Sequence, residues 1–215
     1  MNEKKVTREK LTANRQQEII RACEELYETL DYEEINIKEI AKSTSICRSN
    51  IYNYYETKEE IFLDILSKEY CRWMEDMDRQ MEEDALRSRE SYCRIVTDTV
   101  QRRPQLLRLL SAHHTTIEKN CSLEKITAFK RSLEPFQDGM RRRLSQYFPQ
   151  AAQEKKEHFL LVLLSLAQGI YSMTNLSPRQ LEAMRQLHPD YRQPDFAACF
   201  CQALYTLAAE LEPEG

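Results

Sequence analysis

Six polar side chains fall within seven consecutive positions of this 215-residue chain: Arg48, Ser49, Asn50, Tyr52, Asn53 and Tyr54, arranged around one apolar residue, Ile51. On a short helix this order turns Ile51 inward and leaves a face suited to hydrogen-bonding a polar, anionic partner. Arginine can fork onto guanine O6 and N7, and asparagine onto adenine N6 and N7. Tyrosine hydroxyls, threonine and lysine commonly bind phosphate oxygens and set register.

Such a face works only if other elements hold it. Asn36 and Glu39 form an Asn-x-x-Glu arrangement at the start of a helix over about 37–42, with Ile40 and Ala41 facing inward. Ser43-Thr44-Ser45 makes a tight polar turn, and the next helix covers roughly 47–54, with Ile51 and Tyr55 on its inner side. Thr57 and Glu60 form a second capping pair, opening a long helix from Lys58 whose inward residues run from Ile61 through Trp73 to Met81. Before all of these, Ile19, Ile20, Cys23, Leu26, Tyr27 and Leu30 mark one apolar helical stripe over 12–30. Two helices joined by a tight turn, the second polar outward, constitute a helix-turn-helix pattern. An ordinary helical hairpin with a solvated face satisfies the same spacing.

The segments Ile40-Ala41, then Ser45 through Tyr55, then Thr57-Lys58-Glu59-Glu60-Ile61-Phe62, resemble the N-terminal signature of the tetracycline-repressor (TetR) family over about residues 12–66. The resemblance implies a three-helix DNA-binding domain, a larger helical regulatory domain, and a homodimer reading a palindromic operator. Carried over by position, it places Arg48, Ser49, Asn50, Tyr52, Asn53 and Tyr54 at the DNA, Lys58 on a phosphate, and Lys38 where some members reach DNA from the second helix. Two positions depart from the pattern. Ser45 stands where a turn glycine is usual, so a left-handed backbone there is costlier. Cys47 replaces the usual Ser or Thr cap, and a thiol is a weaker acceptor.

Three glycines and seven prolines in 215 residues, with helical apolar spacing throughout, predict an all-α protein. A helix-turn-helix DNA-binding domain over 12–72, preceded by a mobile basic arm at 1–11, would be followed by a helical ligand-binding and dimerisation domain over 73–215. The net charge of −4 excludes a uniformly basic nucleic-acid coat, but residues 1–15 carry five basic side chains against two acidic ones. Seven scattered cysteines without a Cys-x-x-Cys pair suit a reduced cytoplasmic setting. The most apolar run, 159–170, is too short for a bilayer, which takes about 20 residues. His113, His114 and Cys121 match no common zinc spacing, so neither a metal nor a cofactor is expected. No phosphate loop, nucleophile elbow or paired-acid motif is present, so no catalytic residue is expected. Cys47, beside Arg48 at a helix start, reads either as a redox-sensitive thiol or as a small filler.

In the larger body, Pro135 should kink or split an apolar pattern running from Ile126 to Leu144. The segments 155–174 and 195–211 are apolar around more of the helix than one core face requires. They are either two central core helices or the surfaces of a homodimer, and the resemblance favours the dimer. Tyr92, Thr99, His113, Phe129, Phe136, Met140, Gln168 and Tyr171 interrupt the apolar stripes with aromatic, sulfur or polar groups, as a small-molecule effector pocket would. The functional expectation is a homodimeric repressor of double-stranded operator DNA, released by an effector. A helical protein–protein interaction module without DNA binding is the rival reading.

Overall fold

The computed structural model describes residues 3–112 and 116–213, the side chains of 3–9 excepted. Among these residues there is no strand, as the scarcity of glycine and proline predicts. Eleven α-helices lie among the described residues: α1 Glu3–Thr29, α2 Ile37–Lys42, α3 Arg48–Ile51, α4 Lys58–Glu83, α5 Arg89–Gln101, α6 Pro104–Ala112, α7 Leu123–Ser132, α8 Glu134–Tyr147, α9 Gln153–Thr174, α10 Pro178–Leu187 and α11 Phe196–Ala208. Residues 3–11, read from sequence as an arm, are the first turns of α1. Pro135 does split its pattern: α7 stops at Ser132 and α8 starts at Glu134, with the proline in its first turn, where its missing N–H costs nothing.

Two compact units are present, residues up to Lys68 together with Ala112–Ser132, and Glu69–Ser111 together with the chain from Leu133. The first unit is built on Ile19, Ile20, Cys23 and Tyr27 of α1, Ile37 and Ile40 of α2, Ile51 of α3, and Ile61, Phe62 and Ile65 of α4, all buried. Burial of each isoleucine and of Phe62 stabilises the unit by about 1.5–3 kcal/mol relative to exposure. Phe62 is its aromatic centre, with ring centroids 5.2 Å from Tyr27 and 4.8 Å from Tyr32.

The second unit packs α5, α8, α9 and α11 with the later turns of α4. Trp73 is fully buried and donates its indole N–H to Thr99 Oγ1 at 3.0 Å. Tyr92 stacks edge-on against Tyr147 and Phe148. Gly139 lets α8 approach α4 closely, since a Cβ there would lie 2.6 Å from Met74 Sδ. Charged contacts line α4 as well: Arg103 bonds Glu69 at 3.4 Å and the Arg72 carbonyl at 2.8 Å, and Arg143 bonds Glu82 at 3.1 Å.

Candidate nucleic-acid interface

The α3 helix is a single turn, so its geometry depends on its neighbours. Its N-cap, Cys47, has extended backbone and makes no side-chain capping bond. Its thiol is fully exposed and lies 3.3 Å from Ser49 Oγ, a contact that holds the thiol pKa below its ordinary value. Beyond Ile51 the chain continues in a turn, with Tyr54 N–H bonded to the Ile51 carbonyl at 2.9 Å and Asn53 N–H to that of Asn50 at 3.2 Å. The recognition segment is therefore tighter and shorter than the helix over 47–54 expected from sequence. Ile51 and Tyr55 are buried beneath it, at 0% and 1% exposure.

Above that floor, Arg48, Ser49, Asn50, Tyr52 and Asn53 are exposed and Tyr54 is half-buried. Lys38 of α2 is exposed too. Asn36 caps α2 by accepting the Lys38 and Glu39 amides at 3.0 and 3.2 Å. Glu39 pairs with Lys42 at 2.8 Å, where the sequence suggested a bond back to Asn36. Lys58 is placed differently from the rest of the set. Its ammonium donates to the Tyr32 carbonyl at 2.6 Å and the Ile35 carbonyl at 2.8 Å, and lies 4.1 Å from the Tyr32 ring centroid. It ties the loop after α1 to the start of α4.

The turn between α2 and α3 is held from α1, by residues that sequence reading passed over. Glu18 Oε1 accepts the Ser45 N–H at 2.6 Å, Arg15 donates to Ser45 Oγ at 2.8 Å, and Arg15 and Glu18 pair at 3.1 Å. The Ser45 hydroxyl and amide hold the Glu18 carboxyl below its ordinary value. Among the described residues the only non-glycine with positive φ is Arg87, at 45°, so Ser45 needs no left-handed backbone. The visible signal was an Arg-x-x-Glu pair on the polar side of α1, which resembles an ordinary surface pair.

The described residues read as an effector pocket take up different surroundings. Tyr92 and Thr99 are core, at 1% exposure each, and Phe129 lies in the other unit. Phe136 and Met140 line a groove of about 230 Å³ between α8 and α9 with Leu160, Leu161 and Leu164, flanked by the Arg141–Glu157 ion pair. Gln168 and Tyr171 are half-buried on α9, Tyr171 packing edge-on against Phe196. His113 lies outside the described residues. Among those residues no three His, Cys, Asp or Glu side chains converge as a metal site. Nor is any single helix long and apolar enough to cross a membrane.

A polar, solvent-facing turn of helix braced from below by Ile51 and from the side by α1 can present hydrogen-bond donors and acceptors to a nucleic-acid groove. Residues 67–212 match the family model described as "Tetracyclin repressor-like, C-terminal domain". The chain belongs to the tetracycline-repressor family. This TetR-family protein is a DNA-binding transcriptional regulator with a helix-turn-helix, and such regulators are not enzymes. No curated relative matches it. A TetR-family transcriptional regulator from Streptomyces coelicolor is similar at 15% identity and a TM-score of 0.54, covering 92% of this chain and 97% of that one. The fatty acid degradation regulator FadR from Bacillus halodurans is similar at 15% identity and 0.53, covering 89% and 93%. A putative TetR-family regulator from Mesorhizobium loti follows at 13% identity and 0.50, covering 92% and 96%. At these identities the likeness concerns fold.

Proposed function

We propose that this TetR-family protein is a cytoplasmic homodimeric repressor that reads a palindromic operator through the major groove and is released by a small-molecule effector. Arg48, Ser49, Asn50 and Asn53 would meet base edges, with Lys38, Tyr52 and Tyr54 on phosphates. Lys58 would hold the loop behind them, and would reach a phosphate only by giving up two carbonyls.

The observation that carries the dimer is the outward side of α9. Only Lys156, Phe159, Leu163, Ala167 and Thr174 of this 22-residue helix are buried. Leu161 and Met173 are 68% and 73% exposed, and Ser165 and Gly169 lie exposed between them at four-residue steps. A Cβ added at Gly169 would meet nothing within 4 Å. On α11, only Phe200, Leu204 and Ala208 are buried, although most of the helix is apolar. An apolar stripe with small residues at its centre suits close approach of a second copy, through about residues 155–174 and 195–211. Two copies double the site read, with half-sites roughly 34–36 Å apart.

Effector release is supported by the α8–α9 groove floored by Phe136 and Met140. A ligand acts there only through its different affinity for the DNA-competent and DNA-released conformations. The test begins with selection of genomic fragments by the purified protein, followed by gel shifts at several salt concentrations. Binding should weaken steeply with salt and collapse in Arg48→Ala. No retained fragment and no gel shift even at low salt would instead favour a protein–protein module. A thermal-shift screen of small molecules, followed by operator release, tests the effector.

A further inference from the structure

The segment Ala112–Ser132 follows α6 in the chain but folds with the N-terminal helices, and its contacts with α4 centre on two carboxylates one helical turn apart. Glu60, only 5% exposed, accepts the Glu56 N–H on Oε2 at 2.9 Å and the Ser122 hydroxyl on Oε1 at 2.8 Å. Asp64 accepts the Tyr55 hydroxyl on Oδ2 at 2.7 Å, and the Lys125 ammonium on both oxygens at 2.7 Å. Each carboxylate thus has one bond to the tail of the recognition segment and another to α7 or to Ser122, the residue just before it.

Three further contacts tie the same pieces together. Lys125 Nζ lies 4.9 Å from the Tyr55 ring centroid, Thr57 Oγ1 donates to the Asn120 carbonyl at 3.3 Å, and Ser67 and Ser132 hydroxyls meet at 2.8 Å. Ser122 also accepts the Lys125 N–H at 3.3 Å, so the hydroxyl that reaches Glu60 also starts α7.

We propose that Glu60 and Asp64 are positioning residues for DNA reading, and that α7, acting on them through Ser122 and Lys125, sets the geometry of the recognition segment's tail. Tyr55 and the Glu56 amide leave the recognition segment directly, so a rotation of either carboxylate displaces the backbone that follows Arg48–Asn53. With α7 in place, each carboxylate is held from two sides and its rotamer is fixed. With α7 withdrawn, one side is free and the charge of Asp64 has lost its cation. A movement of α7 is then felt directly by the reader. This rests on α3 being the DNA reader.

The test uses the full-length protein, a DNA fragment selected by the wild type, and amide hydrogen exchange over residues 50–56. Lys125→Ala should weaken binding by about tenfold, the scale of one charge-assisted hydrogen bond, and speed exchange in that window. Ser122→Ala should act in the same direction, and Lys125→Arg should recover most of the affinity. Lys130, which pairs with Glu118 inside the same segment, supplies the control: Lys130→Ala should change neither readout. Combined with Tyr55→Phe, Lys125→Ala should lose less than the product of the two separate losses, because both act through Asp64. Should Lys125→Ala prove too unstable, Lys125→Gln and Ser122→Ala carry the same comparison. Wild-type affinity and exchange in these variants, or strictly multiplicative losses in the pair, would overturn the proposal. Retained binding in Arg48→Ala would instead show that α3 is not the reader.

Discussion

Glu18 Oε1 accepts the Ser45 N–H at 2.6 Å across 27 positions of chain, and Arg15 holds the Ser45 hydroxyl from the same helix. The helix-turn-helix turn is therefore fastened to α1 by side chains, where the family pattern relies on a flexible glycine. A glycine placed at position 45 would remove the Arg15 bond and add freedom to the unfolded chain without relieving any strain. Ser45→Gly should lower stability by about 1 kcal/mol, and Glu18→Ala by a similar amount, discounted for solvent exposure. Urea unfolding followed by circular dichroism measures both. A more stable Ser45→Gly variant would mean that the turn wants the left-handed backbone after all.

Lys58 separates two roles that sequence merges. Its ammonium has two carbonyls and an aromatic ring as partners, so Lys58→Ala should cost roughly 2 kcal/mol of stability. The slope of operator affinity against salt should stay near that of the wild type. A phosphate ligand would behave the other way, its loss lowering the slope by about one counterion.

Gly169 tests the dimer. In a lone chain, with open space around it, Gly169→Ala should stabilise α9 by about 1 kcal/mol through helix propensity alone. Packed against a second copy, the same methyl group would intrude. Sedimentation equilibrium should show weaker association of Gly169→Ala, and Leu161→Glu should abolish it. Unchanged association in both variants would remove α9 from the interface.

Acid should loosen the second unit at a definable place. Burial alone would raise the Asp84 carboxyl, but the Ser91 and Tyr147 hydroxyls at 2.6 and 2.7 Å, with the Leu86 and Arg87 amides, hold it below its ordinary 3.8. A lowered folded-state pKa means the contribution is fully present above 3.8 and is lost as pH falls through the lower value. Glu18 contributes with the same sign from 4.5 downward. Asp84→Asn should flatten the stability profile below about pH 4 and leave the operator-binding surface intact. A profile identical to wild type would show that Asp84 carries none of the acid sensitivity.

The Arg48–Asn53 face, the inward Ile51, the cap at Asn36, the split at Pro135 and the all-helical class were all legible from sequence. Each is local, decided by residue type and by a period of three to four, so neighbouring positions carry the information. What the tertiary structure decided joins residues far apart in the chain. The inward engagement of Lys58 depends on carbonyls 23 and 26 positions away, the holding of Ser45 on a carboxylate 27 away, and the bonds of Glu60 and Asp64 on Ser122 and Lys125, 62 and 61 positions away. The same holds for Phe129 and Tyr92: a stripe periodicity says that both face inward, but not that they belong to different units. Periodicity assigns a side to each residue, and only the packing of helices against one another says what waits on that side.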